Sequence, residues 1–372
     1  MTQKLRIGVL FGGQSGEHEV SLVSAAAVLE NLDRARYEVV PIGITKQGRW
    51  LAGPGAMPAL LAAADRLKLP ASGQQPADHG QPASDTALAL DEMSLPTTDW
   101  RQQAGIDLIF PVLHGPMGED GTVQGLMQLA GVAYVGCGVL ASAVGMDKAM
   151  MKAAFAAAGL PLLPWLLVRR VDWQRAPAQV AEQIEAQLHY PVFVKPANMG
   201  SSVGISKATD RATLERGLAE AAHYDRRIVI EQGINAREIE ISVLGNDDVV
   251  ASVPGEVVPS NEWYDYQAKY LGGESQIVIP AEIAPALAEQ VRVLAIQAFN
   301  AVDGAGLARV DFLLDKDTGG LYLNEVNTMP GFTPVSMYAK MWQASGVAYS
   351  QLLDRLIALA LERHQSVMGD TR

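Results

Sequence analysis

One cysteine, Cys137, stands in 372 residues, so no intrachain disulfide can form and a zinc site built on clustered cysteines is excluded. The opening residues carry too short an apolar run for a secretory signal and no small-residue cleavage site after one. A reducing cytoplasm is therefore the expected compartment. Basic residues are also in deficit: 29 Lys and Arg against 41 Asp and Glu leave a formal net charge of -12. Nucleic-acid surfaces and anionic membrane faces need clustered positive charge, so neither partner is expected. A local basic pocket for a small phosphate ligand stays open. Two nucleotide signatures are missing as well. No G-x-x-x-x-G-K-[ST] occurs, and Gly12-Gly-Gln-Ser-Gly16 does not match G-x-G-x-x-G. Between Asp120 and Asp147 lie 26 residues without a charge, long enough to span a bilayer. Six glycines punctuate them, which predicts a buried helix, a short strand over 133–135 and the start of another helix.

What is present is a chain with 49% hydrophobic and 19% charged residues, enough to bury cores for two or three domains. Residues 5–10 form an apolar run broken at Gly12-Gly13, followed by a helix over 19–32, a strand over 37–44 and another over 107–113. That alternation predicts a parallel sheet with helices on its faces. From about 54 to 100 the periodicity is lost, and Ala71 to Thr86 is rich in Pro, Gln, Ser and Gly, which predicts a surface insertion. A second region holds a helix over 146–158, strands over 191–196, 205–207 and 227–231, and a helix capped by Thr209 or Asp210. This is an α+β pattern of antiparallel strands. A third region holds strands over 238–244 and 249–253, a long loop over 259–275, helices over 284–300 and 349–362, and a hairpin between those helices. The expected domains are 1–137 with the insertion, 138–233 and 234–372, an α/β unit followed by two α+β units.

The hairpin is the strongest local signal. Arg309 and Asp311 are two apart and share one face of their strand; Glu325 and Asn327 share one face of theirs. If Lys316 pairs with Gly320, Asp311 falls opposite Glu325. Two carboxylates and an amide oxygen then converge beside an arginine. Such a set either holds a hard cation such as Mg²⁺ or Mn²⁺, or is an ordinary hairpin with Arg309 paired to Asp311. The second signal, Gly200-Ser-Ser-Val-Gly204 after the strand bearing Lys195, either aims backbone N–H groups at an anion or is a plain turn. Glu17, His18 and Glu19 follow one strand and His114 another, at the edge where α/β sheets bind ligands; helix capping is the competing reading for the two glutamates. Pro330-Gly331 is a turn that offers an N–H beside the hairpin. Lys148, Lys195 and Lys269 each adjoin a motif, and Trp263, Tyr264 and Tyr266 either pack under the long loop or meet a ligand.

The Lys strand, the Gly/Ser loop, the Arg-x-Asp strand and the Glu-x-Asn strand, in that order, resemble an ATP-grasp enzyme. Within that superfamily, GGQSGEHEVS at 12–21, HGPMGEDG at 114–121, GSSVG at 200–204, YDYQAKY at 264–270 and NEVNTMPG at 324–331 closely resemble the D-alanine–D-alanine ligase family. The match runs from about 5 to 356, apart from the insertion.

The resemblance implies an ATP-grasp fold and ATP-dependent joining of two D-alanines through an acyl phosphate, for peptidoglycan. It implies that Asp311, Glu325 and Asn327 hold one or two Mg²⁺ or Mn²⁺ ions, and that Lys148, Lys195 and Lys269 face the phosphates together with Gly200, Ser201 and Ser202. Glu231, Ile234 and Glu238 fall at the adenine and ribose positions, with Gln232 where relatives often have lysine. Glu17 falls at the ammonium of the first D-alanine with His114 beside it, Arg309 and the N–H of Gly331 at the oxyanion, and Ser336 at the second carboxylate. Glu17, Ser201 and Tyr270 match the family's proton-handling set. Tyr270 separates this chain from relatives that make D-alanyl-D-lactate. A non-catalytic nucleotide-binding regulator on the same fold is a further alternative, disfavoured by the complete metal triad and Arg309. The loop 259–275 is expected to act as a lid, and relatives are commonly homodimers.

Overall fold

The computed structural model describes residues 4–67, 105–258, 276–333 and 336–369. In chain order the elements are β1 (Leu5–Gly12), α1 (His18–Asn31), β2 (Tyr37–Ile44), β3 (Trp50–Ala52), α2 (Ala56–Leu67), β4 (Leu108–Val112), α3 (Thr122–Leu129) and β5 (Ala133–Tyr134). Then come α4 (Val139–Met146), α5 (Lys148–Ala157), β6 (Trp165–Arg169), α6 (Arg170–Arg175), α7 (Pro177–Glu185), β7 (Val192–Pro196), β8 (Ser206–Ala208), α8 (Arg211–Tyr224) and β9 (Arg227–Gln232). The remainder are β10 (Ala236–Gly245), β11 (Val250–Ala251), β12 (Gly255–Val258), β13 (Gln276–Val278), α9 (Pro285–Ala301), β14 (Gly306–Asp315), β15 (Leu321–Asn327), α10 (Met337–Ala344) and α11 (Tyr349–Gly369).

Three sheets follow. The first has the order β3-β2-β1-β4-β5, parallel except for β3. Strand order reverses between β1 and β4, and their carboxyl ends open a crevice where such sheets bind ligands. The second sheet, β6-β9-β7-β8, is antiparallel throughout, with its own core of Val192, Val194, Leu214, Leu218, Ile228 and Ile230. The third is also antiparallel, in the order β13-β12-β10-β14-β15, with β11 against β10.

Cores join elements far apart in sequence. α11 packs Leu352, Leu353, Leu356 and Ile357 with Ile7, Val9 and Phe110 of the first sheet, and Tyr37 donates to Asp354 at 2.7 Å. α4 and α5 pack Ala141, Met151 and Phe155 with Ile239, Ile241, Val310 and Phe312 of the third sheet. Asp147 divides those two helices: its carboxylate caps α5 by accepting from Met150 N–H at 3.0 Å, and it pairs with Arg227 of β9. Ala149 of α5 meets Val229 of β9 and Ala197, the residue just past β7. One short helix therefore touches both walls of what lies between.

Two expectations need correction. The insertion does not begin at 54: Ala56 and Leu60 of α2 are buried in the first core, so 56–67 belongs to that unit. A proline in the first helical turn costs no intrahelical bond, so Pro58 marks a helix start rather than a loop. The hairpin also closes one residue away from the Lys316–Gly320 pairing, with Asp315 N–H donating to Gly320 C=O at 2.9 Å and Leu314 opposite Leu321. A bulge that leaves Asn324 without an opposite residue then shifts the pairing, so that Asp311 does face Glu325 and Arg309 faces Asn327. Bulges beside functional sites re-aim side chains in this way. The uncharged stretch is α3, β5 and α4, and no helix among the described residues is long and apolar enough to cross a membrane.

Candidate active site

A cleft of about 1980 Å³ lies between the second and third sheets, closed at one end by the loops after β1 and β4. Its lining includes Glu17, His114, Lys148, Lys195, Gly200, Ser201, Ser202, Glu231, Ile234, Glu238, Arg309, Asp311, Glu325, Asn327, Gly331 and Ser336. Lys269, Tyr270 and the whole expected lid lie outside the described residues, as do Trp263, Tyr264 and Tyr266.

At the end nearest the first sheet, Glu17 stands at the N-cap of α1 without making a side-chain cap. Its Oε1 instead accepts the Ser201 hydroxyl from the Gly/Ser loop. The capping reading therefore fails for Glu17, and Glu19 is an ion-pair partner of Lys46 at 2.6 Å. Gly115 adopts φ +75°, and a Cβ there would sit 2.7 Å from Glu17 Oε2, so only glycine lets the two loops meet so closely. His114 is buried, with Nε2 3.2 Å from Ser24 Oγ. Burial lowers its pKa, against the Glu17 charge and a hydrogen bond to the Met329 backbone.

Glu119, not singled out in the sequence, lines the same end. Burial and the neighbouring Glu17 charge push its carboxyl up to about 8, against a hydrogen bond from Gly115 N–H at 2.8 Å. It falls inside a motif already noted, five residues after His114; only the fold reveals its closeness to Glu17.

The Gly/Ser loop holds Ser201 at φ +49° and Ser202 at φ +59°, left-handed values rare outside glycine. Such a backbone turns successive N–H groups toward one side, the geometry of an anion cradle. Lys148, the first residue of α5, donates from Nζ to the Met199 C=O at 2.6 Å beside this loop.

At the other end, Glu231 of β9 is 1% exposed, and burial pushes its pKa up, but two lysines outweigh that push. Lys152 donates to Oε1 and Lys195 to Oε2, the latter at 2.6 Å, and together they hold the carboxyl down at about 2. Lys152 was also missed by the motif reading. It follows Lys148 by four residues on α5, so both face the same way. Gln232 ties to the backbone of His189, accepting from its N–H at 2.9 Å and donating to its C=O at 2.7 Å; its side chain is structural.

Between the two ends runs the third sheet. Glu240, Asp311 and Glu325 stand opposite one another on β10, β14 and β15, three carboxylates in a row. Arg309, in the next row, makes a two-pronged pair with Asp311 at 2.7 Å on each side and meets Glu240 at 3.1 Å. Asp311, Glu240 and Glu325 hold its guanidinium firmly charged against the cost of burial. The salt-bridged hairpin is thus what the side chains form here. Asn327 Oδ1 accepts from Met329 N–H at 3.1 Å, starting the turn to Gly331. That turn is anchored by Phe332, buried against Phe110, Tyr338 and Tyr349. Ser336 Oγ accepts from Thr333 N–H at 2.9 Å, and a Cβ on Gly331 would lie 3.0 Å from it.

The arrangement offers an acidic end, an end bearing Lys195 and, between them, three carboxylates around one arginine on one cleft. Residues 6–137 match the family described as D-ala D-ala ligase N-terminus, and residues 154–358 match D-ala D-ala ligase C-terminus. A D-alanine--D-alanine ligase of Heliobacterium modesticaldum is 54% identical over 366 residues, covering 97% of this chain and 96% of that one. One of Geobacillus thermodenitrificans is 50% identical over 97% of both chains. Among solved structures, a D-alanine-D-alanine ligase from Coxiella burnetii aligns with a TM-score of 0.80 at 34% identity, covering 100% of this chain and 98% of that one. A D-Ala:D-Ser ligase from Enterococcus faecalis aligns at 0.78 and 34%, covering 96% and 100%. The three sheets and their cleft are the ATP-grasp fold. Matched along both halves and in fold, with its sequence motifs gathered on one cleft, the chain belongs to the D-alanine–D-alanine ligase family.

Proposed function

We propose that the chain joins two D-alanine molecules at the expense of ATP, forming a D-alanyl phosphate and then the dipeptide for peptidoglycan. The observation that carries this is the division of one cleft into an acidic end at Glu17 and Glu119 and a basic end at Lys195, backed from behind its wall by Lys152, with Arg309 between. A carboxylate is a poor electrophile, and phosphorylation supplies a leaving group; such transfers depend on positioning and charge neutralisation.

Glu17 takes the ammonium of the first D-alanine, with the neutral imidazole of His114 packed beside it. Lys148, Lys195 and Lys269, with the backbone of Gly200, Ser201 and Ser202, face the phosphates. Glu231, Ile234 and Glu238 line the base and ribose end. Arg309 and the Gly331 N–H stabilise the oxyanion as the acyl carbon becomes tetrahedral, and Ser336 receives the second carboxylate. Attack needs a neutral amine, and Glu17, Ser201 and Tyr270 form the set that moves its proton.

The oxygen-only set of Asp311, Glu325 and Asn327 fits Mg²⁺ or Mn²⁺, which when bound would neutralise charge on the phosphates. Among the described residues no three His, Cys, Asp or Glu side chains form a metal site by themselves; an ion held there would draw further ligands from phosphate and water. Domains at about 1–137, 138–233 and 234–372, the lid over 259–275, a homodimer and a cytoplasmic setting complete the proposal.

The test is phosphate release from ATP with and without D-alanine, then product analysis with D-alanine, D-serine and D-lactate together. D-alanine-dependent release with dipeptide as the main product is expected. Release independent of D-alanine, or depsipeptide as the main product near neutral pH, overturns the proposal.

A further inference from the structure

Glu231 has two counter-ions where one would neutralise it. Lys152 and Lys195 hold its two oxygens, yet they are placed differently. Lys195 stands on the cleft wall with Glu231. Lys152 is absent from that wall, 1% exposed and enclosed on α5 behind it. Burying a second ammonium on the same carboxylate costs free energy that the Glu325 charge acting on Lys152 offsets only in part, and burial does depress the pKa of Lys152. Such a surplus cation is explained when one of the two lysines leaves its partner. Only Lys195 has somewhere to go.

We propose that Lys152 is a positioning residue for the nucleotide: it keeps Glu231 ionised and fixed while Lys195 exchanges from Glu231 to the phosphates. This rests on the reading that the nucleotide lies along this wall. Phosphate binding then frees Glu231 Oε2, an oxygen that can only accept, to take an N–H of the nucleotide. The phosphate and base ends of the ligand are thereby coupled through one lysine. Without Lys152, Lys195 would be the sole neutraliser of a buried carboxylate, and withdrawing it would strand that charge. Glu325 and Glu238 also face Lys195, adding to the field it must leave.

Lys152→Met keeps the stem and removes the charge. The KM for ATP is expected to rise about tenfold or more, while kcat and the KM for D-alanine stay within about threefold. A merely structural role would lower the unfolding temperature and shift both KM values alike, which overturns the inference, as does an ATP KM within about twofold of the parent. If K152M does not fold, E231Q is compared with K152M/E231Q. An amide needs no counter-ion, so adding K152M should change the ATP KM by less than about twofold, and a further tenfold rise overturns the inference. E231Q with an unchanged ATP KM removes the nucleotide from this wall and overturns the underlying reading as well. A raised ATP KM in E231Q but not in K152M overturns the inference alone.

Discussion

Glu231 and Glu119 sit at opposite ends of one cleft, Glu231 buried and Glu119 half-buried. Burial raises the pKa of each, yet the two finish on opposite sides of the ordinary carboxyl value. Glu231 meets two ammonium groups and is held down at about 2. Glu119 meets a second carboxylate, Glu17, and rises to about 8. The desolvation cost is shared; the sign is set by what the fold places alongside. In the proposed function the basic end receives a polyanion and the acidic end an ammonium group.

The largest effect is expected from Glu231→Ala, which strands Lys152 in the interior. Breaking a buried pair by removing one partner costs about 3–5 kcal/mol, so chemical denaturation should show a marked loss of stability. A loss below about 1 kcal/mol would mean that water reaches Lys152.

Next comes the pH dependence, where the two ends should pull in opposite directions. Between the ordinary carboxyl value and about 8, native Glu119 holds a proton that the unfolded chain has lost, so its contribution to stability falls as pH rises. Native Glu231 has lost a proton that the unfolded chain regains on acidification, so its contribution is present above the ordinary value and is lost as pH falls toward about 2. Glu119→Gln mimics the protonated form and should flatten the fall in stability between pH 5 and 9; an unchanged slope there in urea titrations would refute the assignment.

Gly115→Ala should cost about 1–3 kcal/mol, because alanine resists φ +75°. Its Cβ also displaces Glu17, so the KM for D-alanine should rise more than that for ATP. Smallest is Ser201→Ala, which removes one hydroxyl donor from Glu17, about 1 kcal/mol of local stability, again read at the D-alanine end.

Much of the fold was legible. β2 was read at its observed limits, and β1, β4, β7, β9 and β10 within a few residues, because apolar runs bounded by Gly or Pro leave few other readings. α2 was lost in the insertion because Gly53, Pro54, Gly55 and Pro58 punctuate its start, although proline is at home in a first turn. The hairpin is more instructive. The turn residues suggest a pairing one residue away from the observed one, and the bulge at Asn324 restores the register, bringing Asp311 opposite Glu325. The bulge has a trace in the sequence: Leu321, Leu323 and Val326 are the buried positions of β15, and the step from 323 to 326 breaks strict alternation.

Glu240 was missed although it stands two residues from Glu238 on the same face of β10, and Lys152 although it lies one turn from Lys148. Neither sits in a motif, so nothing local marked it.

The sequence by itself determined the elements, the order of the motifs and, through strand alternation and helix spacing, which side chains share a face. Those are short-range properties, settled by backbone sterics and the period of each element. Only the tertiary structure decided which faces meet: Glu17 with Ser201, 184 residues apart, and Lys152 with Glu231, 79 apart. Charge states belong to that second class, since desolvation and Coulomb energy depend on distance through space, and distance along the chain says nothing of either.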